Sequence, residues 1–219
     1  MATIEQVKER YLVKAEQNGT NDGIAVDNYR FSLLFNKSQN KFLTLHLQNR
    51  GVDDVRYIQK FLVLDKNISY SSILQNKYNF KLPEDYFDLA DVRAKAEKEK
   101  CKAIIHLQEI QTENLTDLLQ DEFYKPSFEW RESLYTVNSD LLSVYVDNFK
   151  VSEILLNYYR YPNQIRLINE QDPESIFNEN FSVEWDDKSL DDIISLMVFN
   201  LDINQNNPRY QLNTLRFQK

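Results

Sequence analysis

The sequence predicts an α+β protein: a helical bundle made from N-terminal helices and a C-terminal helix, with a small antiparallel β unit inserted into it. Three observations predict this. Apolar residues recur at helical spacing as far as about Leu64, the spacing shortens toward two from about Lys66, and a helical stripe returns after Asp187. A chain that runs helix, strand, helix is satisfied most simply when its two helical parts share one core. The expected division is 1–66 for the first part of the bundle, 67–180 for the inserted mainly-β unit, and 181–219 for the C-terminal helix and tail that complete the bundle.

Thr3 and Gln6 fit a capping box, and Ile4, Val7, Tyr11 and Ala15 share one helical stripe. Asn18-Gly19 ends this helix, since both residues tolerate positive φ, and "NGTNDG" forms a turn. Asp27 caps a second helix with Phe31, Leu34, Phe35, Ser38, Phe42 and Leu45 on its inward face, stopping near Asn49-Arg50-Gly51. Asp53 or Asp54 caps a third, with Val55, Ile58, Phe61 and Leu62 inward. Short links between them predict packed antiparallel neighbours.

"ISYSSIL" reads as a short strand. In "KLPEDYFDLADV", Pro83 fits the first position of a helix or a tight turn. "RAKAEKEKCK", from Arg93 to Lys102, reads as a solvated helix end or a hairpin loop. "CKAIIHLQEI" is a strand with Ala103, Ile105 and Leu107 on one face and Lys102, Ile104 and His106 on the other. "TENLTDLLQD" is a short helix with Leu115, Leu118 and Leu119 inward. "SFEWRESLYTV" alternates, which puts Phe128, Trp130 and Leu134 on one face of a strand. Turns at Asn138-Ser139-Asp140 and Asp147-Asn148-Phe149-Lys150 bound the strand "LLSVYV", and "VSEILLNYYRY" is the longest strand. Asp186 or Asp187 caps the last helix, with Leu190, Ile193, Ile194, Met197 and Leu201 as its stripe. Asp191 and Asp192 sit early in it, where the helix dipole favours acids, and Asn206-Asn207-Pro208 ends it.

Composition narrows the function. The 219 residues carry a formal charge of -8, with a pI near 4.9, so the chain lacks the basic footprint of a protein that grips phosphates. The three glycines, Gly19, Gly23 and Gly51, cannot spell a phosphate-cradling loop or a nucleophile elbow. No apolar run approaches the roughly 20 residues that span a bilayer, and "MATIEQVKER" does not read as a signal peptide. The single cysteine, Cys101, forms no internal disulfide, which fits a protein made in a reducing cytoplasm.

Chemistry-bearing clusters are sparse. His46 and His106 lie apart from each other and from any cysteine at ligand spacing, so neither nucleates a zinc site. Cys101 and His106 share a strand at odd spacing and face opposite sides, which leaves Cys101 a nucleophile only with a distant base. The pairs Asp53-Asp54, Asp186-Asp187 and Asp191-Asp192 are explained by capping. No catalytic residue, metal or cofactor is expected. Tyr158, Tyr159 and Tyr161 around Arg160 form an aromatic cluster that fits a carbohydrate- or peptide-binding module. Yet each face of that strand continues an apolar run, which suits a strand covered on both sides. Pro162 ends it for want of an N–H, and Arg160 is a candidate for a subunit interface. In the tail, Tyr210, Leu212, Leu215 and Phe217 alternate with Arg209 and Arg216, the composition of an arm that either packs on its own domain or docks on a partner.

"NGTNDGIAVDNYRFSLLFNKSQNKFL", "RYIQKFLVLDK", "LPEDYFDLADVRAKAEKEKC", "KPSFEWRE", "NYYRYPNQI" and "DINQNNPRYQLNTLRFQK" together span most of the chain. In these segments it resembles the ring proteins, or head-to-tail connectors, of crAss-like bacteriophages that infect Bacteroides. The resemblance implies a non-enzymatic virion protein made in the host cytoplasm. It would form a closed ring with copies of itself, commonly dodecameric, and contact the portal protein and neighbouring ring or tail proteins. DNA would pass through the lumen without sequence recognition, and no membrane is involved. Carried onto this chain, Pro208–Lys219 becomes the candidate portal-docking arm. A tail or stopper component further from the portal is the alternative within the same class.

Overall fold

The computed structural model describes residues 2–17, 26–49, 52–165 and 183–202. The chain divides into two compact units. One joins 1–60 to 162–219 and the other runs from Phe61 to Tyr161.

The first unit is helical, with α1 (Ile4–Gln17), α2 (Asn28–Asn49) and α3 (Val52–Ile58) from the N-terminal part and α5 (Asp187–Asp202) from the C-terminal part. The capping box of α1 forms as its spelling requires. Thr3 N–H donates to Gln6 Oε1 at 3.1 Å, and Gln6 N–H donates to Thr3 Oγ1 at 3.3 Å. Asp27 caps α2 by accepting the Arg30 N–H at 2.6 Å, and Asp186 caps α5 by accepting the Ser189 N–H at 2.9 Å. Phe31 stacks on Phe35 and meets a tilted Tyr11 ring, and all three are fully buried, as are Leu190, Ile193 and Met197 from α5. Residues 162–165 and 183–186 are tied to this core by α2. Asn36 bonds both backbone groups of Ile165, donating at 2.8 Å and accepting at 2.9 Å.

The second unit is one eight-stranded sheet in the order β1-β8-β4-β5-β6-β7-β3-β2. Its strands are β1 (Leu62–Ser69), β2 (Ser72–Leu74), β3 (Lys77–Lys81), β4 (Tyr86–Lys98), β5 (Cys101–Glu109), β6 (Glu132–Asn138), β7 (Leu141–Tyr145) and β8 (Lys150–Arg160). All neighbours are antiparallel except β5 and β6, which are joined by a crossover containing α4 (Leu115–Gln120). The sheet curls until β1 comes near β3. Register shifts where β8 meets β4 and β1 supply part of that bend, since a bulge kinks and twists its strand. Val92, Ala94, Ile105, Leu142, Val144, Ile154 and Leu156 fill the inner face. The outer face of β1, β8 and β4 carries ion pairs, Arg93 with Asp65 at 2.5 Å and Lys95 with Glu153 at 2.8 Å.

This overturns the expected bundle with a small β insertion. The protein is a mixed α/β chain dominated by its sheet, with five α-helices among the described residues. Leu62 opens β1 instead of closing the third helix. Of the two readings of Pro83 the structure takes the tight turn, its carbonyl accepting the Tyr86 N–H at 3.1 Å as β4 begins. Arg93 to Lys102 is the paired end of the β4–β5 hairpin. Its alternation was hidden because the inward residues are Ala94 and Ala96 and the outward ones are Arg, Lys and Glu, residue types with weak strand preference. The β unit is also not purely antiparallel, because α4 and the loop after it return the chain alongside β5.

Candidate interaction surface

The crossover from β5 to β6 carries the most exposed aromatic residues of the described chain. Asp121 ends α4 and turns the backbone. Its carboxylate accepts the Phe123 N–H at 2.8 Å and its carbonyl accepts the Lys125 N–H at 2.9 Å. Pro126 is buried. Ser127 and Glu132 then exchange backbone hydrogen bonds of 2.8 and 3.1 Å, which closes a tight loop over 128–131. Inside it, Trp130 N–H donates to Ser127 Oγ at 3.3 Å, and Arg131 takes the left-handed conformation at φ 57°. The Arg131 carbonyl accepts the His106 N–H of β5 at 2.9 Å. Phe128 packs inward, its ring centroid 6.2 Å from that of Phe149.

A brace from the β4–β5 hairpin holds the loop from outside. Lys98 Nζ donates to Glu129 Oε1 at 2.5 Å. That bond holds the Lys98 ammonium above its usual range and the Glu129 carboxyl below its own. Glu129 is exposed and Lys98 only half-buried, so the pair serves more to orient the loop than to stabilise the fold.

With Phe128 turned in, the other aromatics are left in water. Phe123 is 91% exposed and Trp130 79%, with Tyr124 exposed beside them in sequence. Burying a side chain the size of Phe contributes about 1.5–3 kcal/mol, which this chain alone forgoes at both positions. Trp is highly buried on average, and it is enriched among the residues that anchor protein contacts. The surroundings are acidic. Along the crossover Glu113, Asp117, Asp121, Glu122, Glu129 and Glu132 are all exposed, against Lys125, Arg131 and the Lys98 that pairs with Glu129.

The residues singled out from the sequence fall elsewhere. Tyr158 and Tyr159 are buried and offer no stacking face, and only Tyr161, 39% exposed, is open. Tyr158 donates its hydroxyl to Asp85 Oδ1 at 2.9 Å, while Tyr161 N–H donates to the Asp85 carbonyl at 2.8 Å. The cluster therefore pins the end of β8 to the turn before β4. Arg160 lies over the Phe61 ring at 5.3 Å and donates to the Tyr161 carbonyl at 3.1 Å. Burial, the Asp85 hydrogen bond and the Asp85 charge raise Tyr158 to about 12, and burial with the charges of Asp88 and Glu109 raises Tyr86 to about 12. Tyr135 is raised as well, by burial and by Glu109, to which its hydroxyl donates at 3.4 Å.

Cys101 is exposed at the hairpin end of β5, and His106 is on the opposite face of the same strand. His46 packs edge-on against Phe42 at 4.3 Å. Among the described residues no group of three or more His, Cys, Asp or Glu is placed to hold a metal ion. No described helix is long and apolar enough to cross a membrane. Arg209, Tyr210, Leu212, Leu215, Arg216 and Phe217 lie outside the described residues, as do Gly19, the "NGTNDG" turn and Gly51.

No protein-family model and no curated protein matches the chain.

The aromatic loop was not read from the sequence. Alternation in "SFEWRES" predicts that Trp130 shares one strand face with Phe128 and Leu134. The strand begins only at Glu132, because the left-handed Arg131 breaks the pleat and turns Trp130 away from Phe128. A signal was present in Pro126 and in the mixture of acids and aromatics around it, a composition suited to a loop and not to a central strand.

Proposed function

We propose that this chain is a structural subunit of a bacteriophage virion, forming a closed ring in the head-to-tail connector that joins portal to tail and lets DNA pass. The observation that carries this reading is the braced aromatic loop. A chain that spends backbone hydrogen bonds and an ion pair to hold Phe123 and Trp130 in water is built to be covered by another protein. The resemblance of its segments to ring proteins of crAss-like phages supplies the class of assembly. The charge of -8 fits a lumen that DNA slides through without adhering, since like charges repel and the counterions of DNA stay in place. Copies would associate through unlike surfaces, the arrangement that closes into a ring. The Pro208–Lys219 segment keeps its role as the arm toward the portal within this proposal.

The test is the mass and image of the purified chain. Light scattering and electron microscopy are expected to show closed rings, and labelled antibody is expected to mark the neck of virions. A chain that stays monomeric at every concentration and is missing from virions overturns the proposal.

A further inference from the structure

The helical unit carries a surface opposite in character to the aromatic loop. From Asn28 to Asn49, α2 contains no acidic residue, and its charges are Arg30, Lys37 and Lys41. Tyr29, Leu33 and Lys37 follow one another at four-residue spacing, which places them on a single helical stripe. Tyr29 is 61% exposed and Leu33 51%, while Arg30 and Lys37 are also exposed. The stripe is therefore apolar and basic, whereas the loop around Phe123 and Trp130 is apolar and acidic.

Resting on the ring reading above, we propose that the two surfaces are the two halves of one contact. The aromatic loop of one copy docks on the outward stripe of α2 in the next copy. Three facts favour a second copy of this chain as the occupant. Both surfaces belong to the same polypeptide, so equal stoichiometry is automatic. Their charges are complementary, which steers the encounter and fixes its register. The surfaces are unlike each other, so each copy keeps a free loop and a free stripe after pairing once, the condition for heterologous closure into a ring. The exposed aromatics on the loop fit the role of buried anchors, with the acids and the α2 cations forming a polar rim.

Two full-length variants test this. Phe123→Ser with Trp130→Ser removes the loop anchors, and Leu33→Glu with Lys37→Glu reverses the stripe with residues that keep helix propensity. All four side chains are exposed, so both variants are expected to melt as the wild type does. If the stripe variant melts earlier, Arg30→Glu with Lys37→Glu replaces it. Analytical ultracentrifugation of wild type, each variant and their equimolar mixture then reads the assembly. The expected result is a ring for wild type, monomers for each variant, and dimers in the mixture, because the variants retain one complementary half each. The wild-type ring is also expected to loosen as salt rises from 0.05 to about 0.5 M, where screening shortens to a few ångströms. Rings from either variant alone, or a mixture that stays monomeric, overturn this contact and leave the ring reading standing. A wild type that stays monomeric at every concentration overturns this contact, and if the chain is also missing from virions the ring reading falls with it.

Discussion

The indole N–H of Trp185 donates to Oε1 of Gln39 at 3.1 Å, joining two buried residues 146 positions apart. Gln39 spends its other end on Asn36 Oδ1 at 3.1 Å and on the Asn163 carbonyl at 3.2 Å. One amide thus anchors both segments that approach α2 from the C-terminal part of the chain, and Phe42 meets the Trp185 ring edge-on at 5.3 Å.

Gln39→Leu keeps the volume and removes every one of these bonds. It leaves the Trp185 N–H and the Asn163 carbonyl without their partner, a loss of about 1–3 kcal/mol. Urea denaturation is expected to show a lower midpoint at unchanged slope. Unchanged stability would mean that water replaces the amide without cost.

Raised tyrosines make the sheet unit sensitive to alkali. Tyr158 and Tyr86 stand at about 12 in the folded chain against an ordinary value near 10, because burial and nearby carboxylates oppose the phenolate. The neutral form is favoured in the native state. Its contribution is therefore complete below about pH 10 and is lost as pH rises through about 12. Phenolate absorbance is expected to show these two residues, and Tyr135 with them, titrating late, together with unfolding. Tyr158→Phe should abolish one late step and weaken the tie to Asp85.

Ile154 is fully buried in the sheet core on β8, the strand that pairs with both β1 and β4. Ile154→Ala is expected to cost about 2–5 kcal/mol, since the rigid sheet closes little of the cavity. Thermal melts followed by far-ultraviolet circular dichroism check this, and a loss below about 1 kcal/mol would show a core that collapses freely.

Glu99 turns the β4–β5 hairpin at φ 54°, a left-handed position filled by a residue with no local reason to prefer it. Glu99→Gly trades that strain, about 1–2 kcal/mol, against the added freedom of the unfolded chain, about 0.5–1 kcal/mol. A rise in Tm is expected, and a fall would show that the Glu side chain contributes more than its backbone costs.

The same hairpin shows how far the sequence could be read. Caps and stripes were legible wherever a signal was local. Thr3 with Gln6, Asp27 and Asp186 all cap as their spelling requires, and Phe31, Phe35, Phe42, Leu190, Ile193 and Met197 are buried as their spacing requires. Strands with bulky apolar faces, such as β5 and β8, were legible too. Strand β4 was not, because Ala and charged residues carry its alternation. The aromatic loop was missed for the opposite reason, since its alternation imitated a strand that the backbone does not form.

By itself the sequence determined the starts of α1, α2 and α5, the buried stripes, the acidity and the shortage of glycine, all of which depend on neighbours within a few positions, whereas α3 begins at Val52, ahead of the Asp53 or Asp54 expected to cap it. Tertiary structure alone decided that the β part is a single curled sheet of eight strands, and that β6 returns parallel to β5. It also decided that Tyr158 is a core residue tied to Asp85 while Trp130 is left in water. Those outcomes depend on which distant strands pair and on where one residue takes positive φ. Pairing partners and turn conformations are chosen by the burial of the whole sheet, which no short window of sequence contains.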